Sequence, residues 1–165
     1  MTWTGFLQYL YDSAVGSGIR ESSVLFPWIE SIHVLMATTV VGSIAIVDLR
    51  LIGYASHRKG AQQLIVDLLP FTWAAFALAV ITGSLLFTSN APNYAANTQY
   101  VSKMVVLLLA GINMAIFHLT AYRQIVHWND ALPPPAGVRL AGATSLSLWI
   151  VVVFLGRWIG FTMQQ

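Results

Sequence analysis

Four long apolar runs, separated by short polar breaks, make up most of the chain: residues 26–54, 69–88, 100–122 and 140–161. Each is long enough to cross a hydrocarbon core of about 30 Å, which takes roughly 20 residues of helix. The pattern predicts an all-α integral membrane protein forming one domain over residues 1–165. Short connections favour an antiparallel four-helix bundle. Ahead of the first run, Trp3, Phe6, Leu7, Leu10, Tyr11 and Ala14 recur at helical spacing within residues 3–15. That spacing predicts a short amphipathic helix lying in the membrane interface. Asp12, Arg20 and Glu21 interrupt this region, so it lacks the continuous apolar core of a cleavable signal peptide. Pro70 is expected to open the second span, Pro92 falls in the loop after it, and Pro133, Pro134 and Pro135 stiffen the link between the third and fourth. No repeat, heptad or low-complexity tract is visible.

Composition sharpens this picture. Only 8% of residues are charged and 57% are apolar, against roughly 25% charged in soluble domains, so the protein's work is expected in or at the bilayer. Cysteine is absent, which excludes disulfides, thiolate metal sites and cysteine nucleophiles. A net charge of +2 is too small to argue for nucleic acid. Lys and Arg beside the helix ends set the orientation. Arg50, Arg58 and Lys59 flank the first inner connection and Arg123 and Arg139 the second, whereas the other side has Arg20 and the neutral loop SNAPNYAANTQ. Lys103 and Arg157, near the outer ends of their spans, reduce the bias. The expectation is a multi-pass protein of a bacterial inner membrane with both termini outward.

Ionisable groups inside spans are expensive and usually face the bundle interior, paired or functional. At 1.5 Å per residue, His33 lies roughly 9 Å inside the outer end of the first span, and Lys103 and Arg157 roughly 5 Å inside the outer ends of the third and fourth. With Glu30 one turn above His33, these four form an outer constellation. His118 lies about 27 Å down the third span from Tyr100, with Asp48, Arg50 and Arg123 at the inner side and His57 and His127 in adjoining loops. His33 and His118 are therefore separated by about 18 Å, too far to share one metal ion.

A neutral imidazole is a good axial ligand for haem iron, and a nearby basic side chain can hold a propionate or, as a free amine, serve as second ligand. His33 is accordingly the expected ligand of a haem b, with Lys103 as second ligand or propionate partner and Arg157 on propionate charge. His118 is the candidate ligand of a second haem. Ala37, Ala110, Met114, Gly42, Gly83, Gly111 and Gly156 are small or pliable positions expected to let a flat macrocycle approach the backbone. The same residues have plain readings. A span histidine can simply hydrogen-bond a neighbouring helix, Lys103 can snorkel to water, Glu30 can be a wet interfacial residue, and His127 beside Trp128 an interfacial anchor.

The stretch WIESIHVL…VVGS…DLRL, with Trp28, His33, Gly42 and Arg50-Leu51, resembles the first helix of membrane protoporphyrinogen oxidase J-type proteins and their copper-resistance D-type relatives. YVSKMVVLLLAGINMAIFH, with Lys103 and His118, is similar to that group's helix bearing an early lysine and a late histidine. The chain also resembles an uncharacterised group of small four-helix bacterial membrane proteins with the same SIHVL…GS…DLRL signature. The oxidase resemblance implies key roles for His33 and Lys103 and an associated b-type haem. The spacing from Lys103 to His118 is longer than in that family, and Asp48 stands where proline is common.

Three functions follow as expectations. The first is a b-type cytochrome passing electrons to or from a quinone or a redox protein. The second is a haem-dependent oxidoreductase acting on a porphyrinogen. The third is a non-redox scaffold or accessory subunit, with a homo-oligomer allowed in each. Copper handling is disfavoured, since Cu(I) prefers sulfur ligands and Met104 and Met114 lie at different depths.

Overall fold

The computed structural model describes residues 2–54, 60–129 and 134–163. Among them every regular element is helical, and four helices are long and apolar enough to cross a membrane.

The N-terminal segment forms two helices rather than one. Ser13 ends α1 (Trp3–Asp12) and, through its hydroxyl, accepts the Gly16 N–H to cap α2 (Ala14–Glu21). The serine offers the backbone a local alternative to continuing the helix. Gly16 is required where it stands, because an added Cβ would lie 2.6 Å from the Leu10 carbonyl oxygen and 2.9 Å from that of Thr88.

The first span, α3 (Leu25–Ile52), ends at Gly53, whose φ of 93° is left-handed. That conformation suits glycine and lets Tyr54 N–H reach back to the Leu49 carbonyl at 3.0 Å. The second, α4 (Ala61–Ser89), begins eight residues before the expected residue 69 and carries Pro70 inside it. Its start is fixed from a distance: Asn129 accepts the Ala61 N–H with its backbone carbonyl at 3.1 Å and the Gln62 N–H with its side chain at 2.8 Å. These bonds satisfy helix donors that otherwise lack partners, and the helix therefore runs past the point where its apolar pattern begins.

The loop expected between the second and third spans contains α5 (Ala91–Ala96). Asn97 then caps α6 (Thr98–Leu119), accepting the Tyr100 N–H while donating to Thr162 Oγ1 at 2.8 Å. A 3₁₀ turn over Tyr122–Gln124 and the single turn α7 (Ile125–Trp128) follow, and α8 (Ala136–Thr162) completes the chain.

Packing is unevenly distributed. α3 lies against both α4 and α8, and α6 lies against α8, whereas no comparable packing joins α4 to α6. The four spans thus leave an opening between α4 and α6. Near the α3 C-terminus, Leu51, Ala61, Ile65, Phe117 and Trp128 form a buried apolar cluster. Elsewhere large apolar side chains point outward, with Phe71, Leu108 and Phe154 each at least 65% exposed. Helices apolar on all faces belong in lipid, which covers such surfaces as well as protein does.

Candidate functional site

The outer group is organised around His33, half-buried on α3. Its Nδ1 lies 2.9 Å from the Ala79 carbonyl and 3.2 Å from Thr82 Oγ1, both on α4. A carbonyl only accepts, so Nδ1 carries the proton and donates, and in the neutral ring Nε2 keeps a lone pair. Thr82 is able to accept because its own hydroxyl donates back to the Leu78 carbonyl. Gly83 makes room for the ring, since a Cβ there would sit 3.0 Å from His33 Cε1.

Lys103 is close enough to His33 to act on it electrostatically. Its side chain crosses the face of Gly156 on α8, with Nζ 3.7 Å from where a Cβ would be. His33 and Lys103, on spans one and three, are therefore neighbours, although each leans on a different helix. Arg157 is exposed, and its guanidinium lies 4.8 Å from the Phe161 ring one turn on. Glu30 is exposed as well. Its carboxylate acts on Tyr94 of α5, whose phenol is held above its ordinary range first by burial, then by the Glu30 charge and then by Tyr100. Tyr94 stacks loosely with Tyr100 and Phe87, with ring centroids 5.3 and 6.2 Å away.

The inner group separates into two parts. Arg50 is buried and donates through Nη2 to the Asn129 carbonyl at 2.9 Å, the same residue that starts α4. Arg123 and His127 are exposed, and His57 lies outside the described residues. The other part surrounds a cavity of about 180 Å³ lined by all four spans. Asp48 of α3, Phe76 of α4, Asn113 and His118 of α6, and Ser145 of α8 are among the residues that line it. Asp48 is only 4% exposed. The Ser145 side chain hydrogen-bonds its carboxyl, but Oδ2 has no partner among the described residues. His118 donates Nδ1–H to the Met114 carbonyl at 2.9 Å, again leaving Nε2 as an acceptor. Asn113 donates through Nδ2 to the Ala141 carbonyl at 3.1 Å.

Small residues divide differently from the expectation. Ala110, Gly111 and Met114 line the inner cavity, while Gly83 and Gly156 receive His33 and Lys103 themselves. Among the described residues no three His, Asp or Glu side chains converge as a metal site. For a haem, which needs only one or two axial donors, the relevant observation is the outer pair: an imidazole with Nδ1 fixed and Nε2 free, beside a cation. An imidazole nitrogen left free in this way is a donor of the kind haem iron takes. The inner cavity is smaller than the roughly 300–1,000 Å³ of ordinary ligand pockets and suits a smaller head group than a porphyrin.

Sequence reasoning did not single out Thr82, Asn113, Ser145 or Asn129. Hydroxyl and amide residues in spans carry no signal of depth or direction until helix rotations are known.

Four apolar, membrane-length helices surrounding buried polar groups define a multi-pass helical membrane protein. Residues 3–162 match the family described as "Family of unknown function (DUF6644)", and the chain belongs to that family. No curated protein and no solved structure matches it.

Proposed function

We propose that the protein is an antiparallel four-helix bundle of a bacterial inner membrane, with both termini outward, that holds one b-type haem and exchanges electrons with a quinone or a redox protein. His33 would supply the axial nitrogen, and Lys103 the second ligand or a propionate partner. The observation that carries this reading is the Nδ1–H bond from His33 to the Ala79 carbonyl. Ligand histidines are commonly held in this way through the ring nitrogen that does not bind the metal, which fixes both tautomer and orientation. When bound, haem b supplies reversible one-electron chemistry. The chain contributes the orientation of the imidazole on α4, the positive charge of Lys103, and an apolar exterior that keeps water from the site. Arg157, exposed and resting on Phe161, remains available at the rim for a propionate.

A second reading rests on Gly83. A glycine that admits the His33 ring against α4 also suits a purely structural histidine joining two spans in a scaffold subunit. One experiment separates the two. Protein purified from haem-replete cells is expected to show a Soret band and a dithionite-reduced α-band, both lost in His33→Ala. Colourless wild-type protein that still unfolds at lower temperature in His33→Ala would establish the scaffold instead.

A further inference from the structure

The gap between α4 and α6 is closed at both ends and open along its side. At the outer end, Phe87 of α4 stacks on Tyr100 of α6 with ring centroids 5.5 Å apart. At the inner end, Ile65 of α4 and Phe117 of α6 belong to one buried cluster with Trp128. Between these closures the two helices are not packed on each other, which leaves a slot about 25 Å tall from Tyr100 to Phe117 at 1.5 Å per residue. The inner cavity is the deep part of this slot. It is lined along α3 from Val40 to Leu51 and along α6 from Leu107 to His118, about 17 Å on each helix. Trp73, Phe76 and Met114 line it and are also exposed, so its wall continues onto the lipid-facing exterior.

The surface of the cavity is overwhelmingly apolar. Its polar residues are largely engaged within the protein: Ser43 donates to the Thr39 carbonyl, Thr72 to Leu68, His118 Nδ1 to Met114 and Asn113 Nδ2 to Ala141. Asp48 Oδ2 has essentially no accessible surface and cannot be reached from the cavity. The second Asn113 N–H and the Trp149 indole N–H stay available, but they make up little of the wall. An apolar space of about 180 Å³ stays dry, and left empty it would forfeit the dispersion contacts of its lining. A helix of a second copy, about 10–12 Å across, is too thick for that volume. A single hydrocarbon chain is not, and its length agrees, since one leaflet supplies about 15 Å of a core of about 30 Å.

We propose that the cavity holds one acyl chain of a phospholipid from the leaflet on the His118 side, entering sideways between α4 and α6 and running from His118 towards Trp149. The chain joins α4 to α6 through lipid where direct packing is missing. This site is separate from the His33–Lys103 pair, and its occupancy does not depend on haem.

Tryptophan quenching in vesicles tests the proposal. Trp149 lines the cavity and is the central residue of α8, which puts it at the depth of acyl chain ends. Trp3, Trp28, Trp73 and Trp158 are each at least 50% exposed and are replaced by phenylalanine. The remaining emission comes from Trp149 and from Trp128, which is only 5% exposed and lies within the inner closure. This full-length variant is compared in phosphatidylcholine vesicles brominated near the chain ends and in unbrominated ones, with Trp149→Phe giving the Trp128 baseline. Bromine should remove most of the Trp149 emission. Gly111→Leu fills the slot from α6, at a position where an added Cβ meets nothing within 4 Å, and Thr72→Phe fills it from α4; either should restore most of that emission. Trp149 left as unquenched as Trp128, through closure of the bundle on itself or cover by a second copy, would overturn the proposal. Quenching that neither filling substitution reduces would overturn it as well.

Discussion

His33 on the first span donates its Nδ1–H to the carbonyl of Ala79 on the second at 2.9 Å, and Gly83, one turn further along, leaves the space in which the ring lies. The bond and the gap are one device, since the imidazole reaches the α4 backbone only where no Cβ intervenes. Gly83→Leu should therefore push the ring off Ala79, costing about 1–3 kcal/mol through overpacking, and under the proposed haem ligation by His33 it should also lower haem content. Gly42→Ala should change neither quantity, because a Cβ there meets nothing within 4 Å. Haem content per chain and thermal unfolding of both variants check the difference, and equal behaviour would mean that His33 does not depend on Gly83.

A second close approach holds α3 to α8. A Cβ added at Gly142 would stand 2.9 Å from Leu51 Cβ and 3.1 Å from the Asp48 backbone oxygen. The backbone atom cannot move aside cheaply, so the helices would have to separate beside the buried cluster containing Leu51 and Val138. Gly142→Val is expected to destabilise the protein by about 1–3 kcal/mol. Unfolding in a graded denaturing detergent reads this, with Gly137→Ala as the control at a position where the added carbon is in open space.

Much of this architecture was visible in the sequence, for identifiable reasons. Span number and approximate position follow from apolar length, which the bilayer imposes directly. The separation of His33 and Lys103 from His118 follows from the fixed rise per residue. Rotation about each helix axis is a different matter. Ala110 and Met114 sit on the helix that carries Lys103, but they face the inner cavity near His118 rather than the outer pair. The start of α4 was missed by eight residues because its capping group, Asn129, is remote in sequence. The break at Ser13 was written locally, as a serine able to cap, but it falls within an amphipathic pattern that continues across it.

The N-terminal arm is fastened by Arg20. Its Nη1 donates to the Tyr11 carbonyl at 3.1 Å and to the Ser89 carbonyl at 3.0 Å, and its guanidinium lies 3.8 Å from the Tyr11 ring centroid. Ser89 is the last residue of α4, so the cation also meets the negative end of the helix dipole, worth about 0.3–1 kcal/mol at exposed sites and more where partly buried. Arg20→Ala should loosen α1 and α2 without dissolving the spans. Hydrogen exchange is expected to rise across residues 3–21 and at the end of α4, with the centre of α3 unchanged. Uniform acceleration throughout the chain would show that the arm is not a separate unit.

Tyr94 gives a pH-dependent prediction outside the spans. Its phenol is raised by burial first and by the Glu30 carboxylate second, with Tyr100 contributing as well. Glu30→Gln should lower its titration only partway, leaving it above the ordinary phenol near 10, since burial remains. The sign for stability follows from proton uptake. Above the unfolded value the unfolded chain has released the proton and the folded chain has not, so stability falls as pH rises beyond that point. The decline should be shallower in Glu30→Gln. Phenolate absorbance compared among wild type, Glu30→Gln and Tyr94→Phe checks this, and a wild-type titration unaffected by Glu30→Gln would remove Glu30 from the environment of Tyr94.

Orientation can be tested because the native chain has no cysteine, so a single introduced thiol reports one position. Arg50, Arg58, Lys59, Arg123 and Arg139 gather at one set of connections, against Arg20 at the other, and such an excess marks the cytoplasmic side. Asn93 in α5 and His127 in α7 are both exposed and belong to opposite ends of α6. Asn93→Cys is expected to react with a membrane-impermeant maleimide in spheroplasts, and His127→Cys only after the membrane is opened. The reverse labelling would turn the protein over. Equal labelling of both before permeabilisation would show that the helices between them do not span the bilayer, and the outer placement of His33 and Lys103 would then have no meaning.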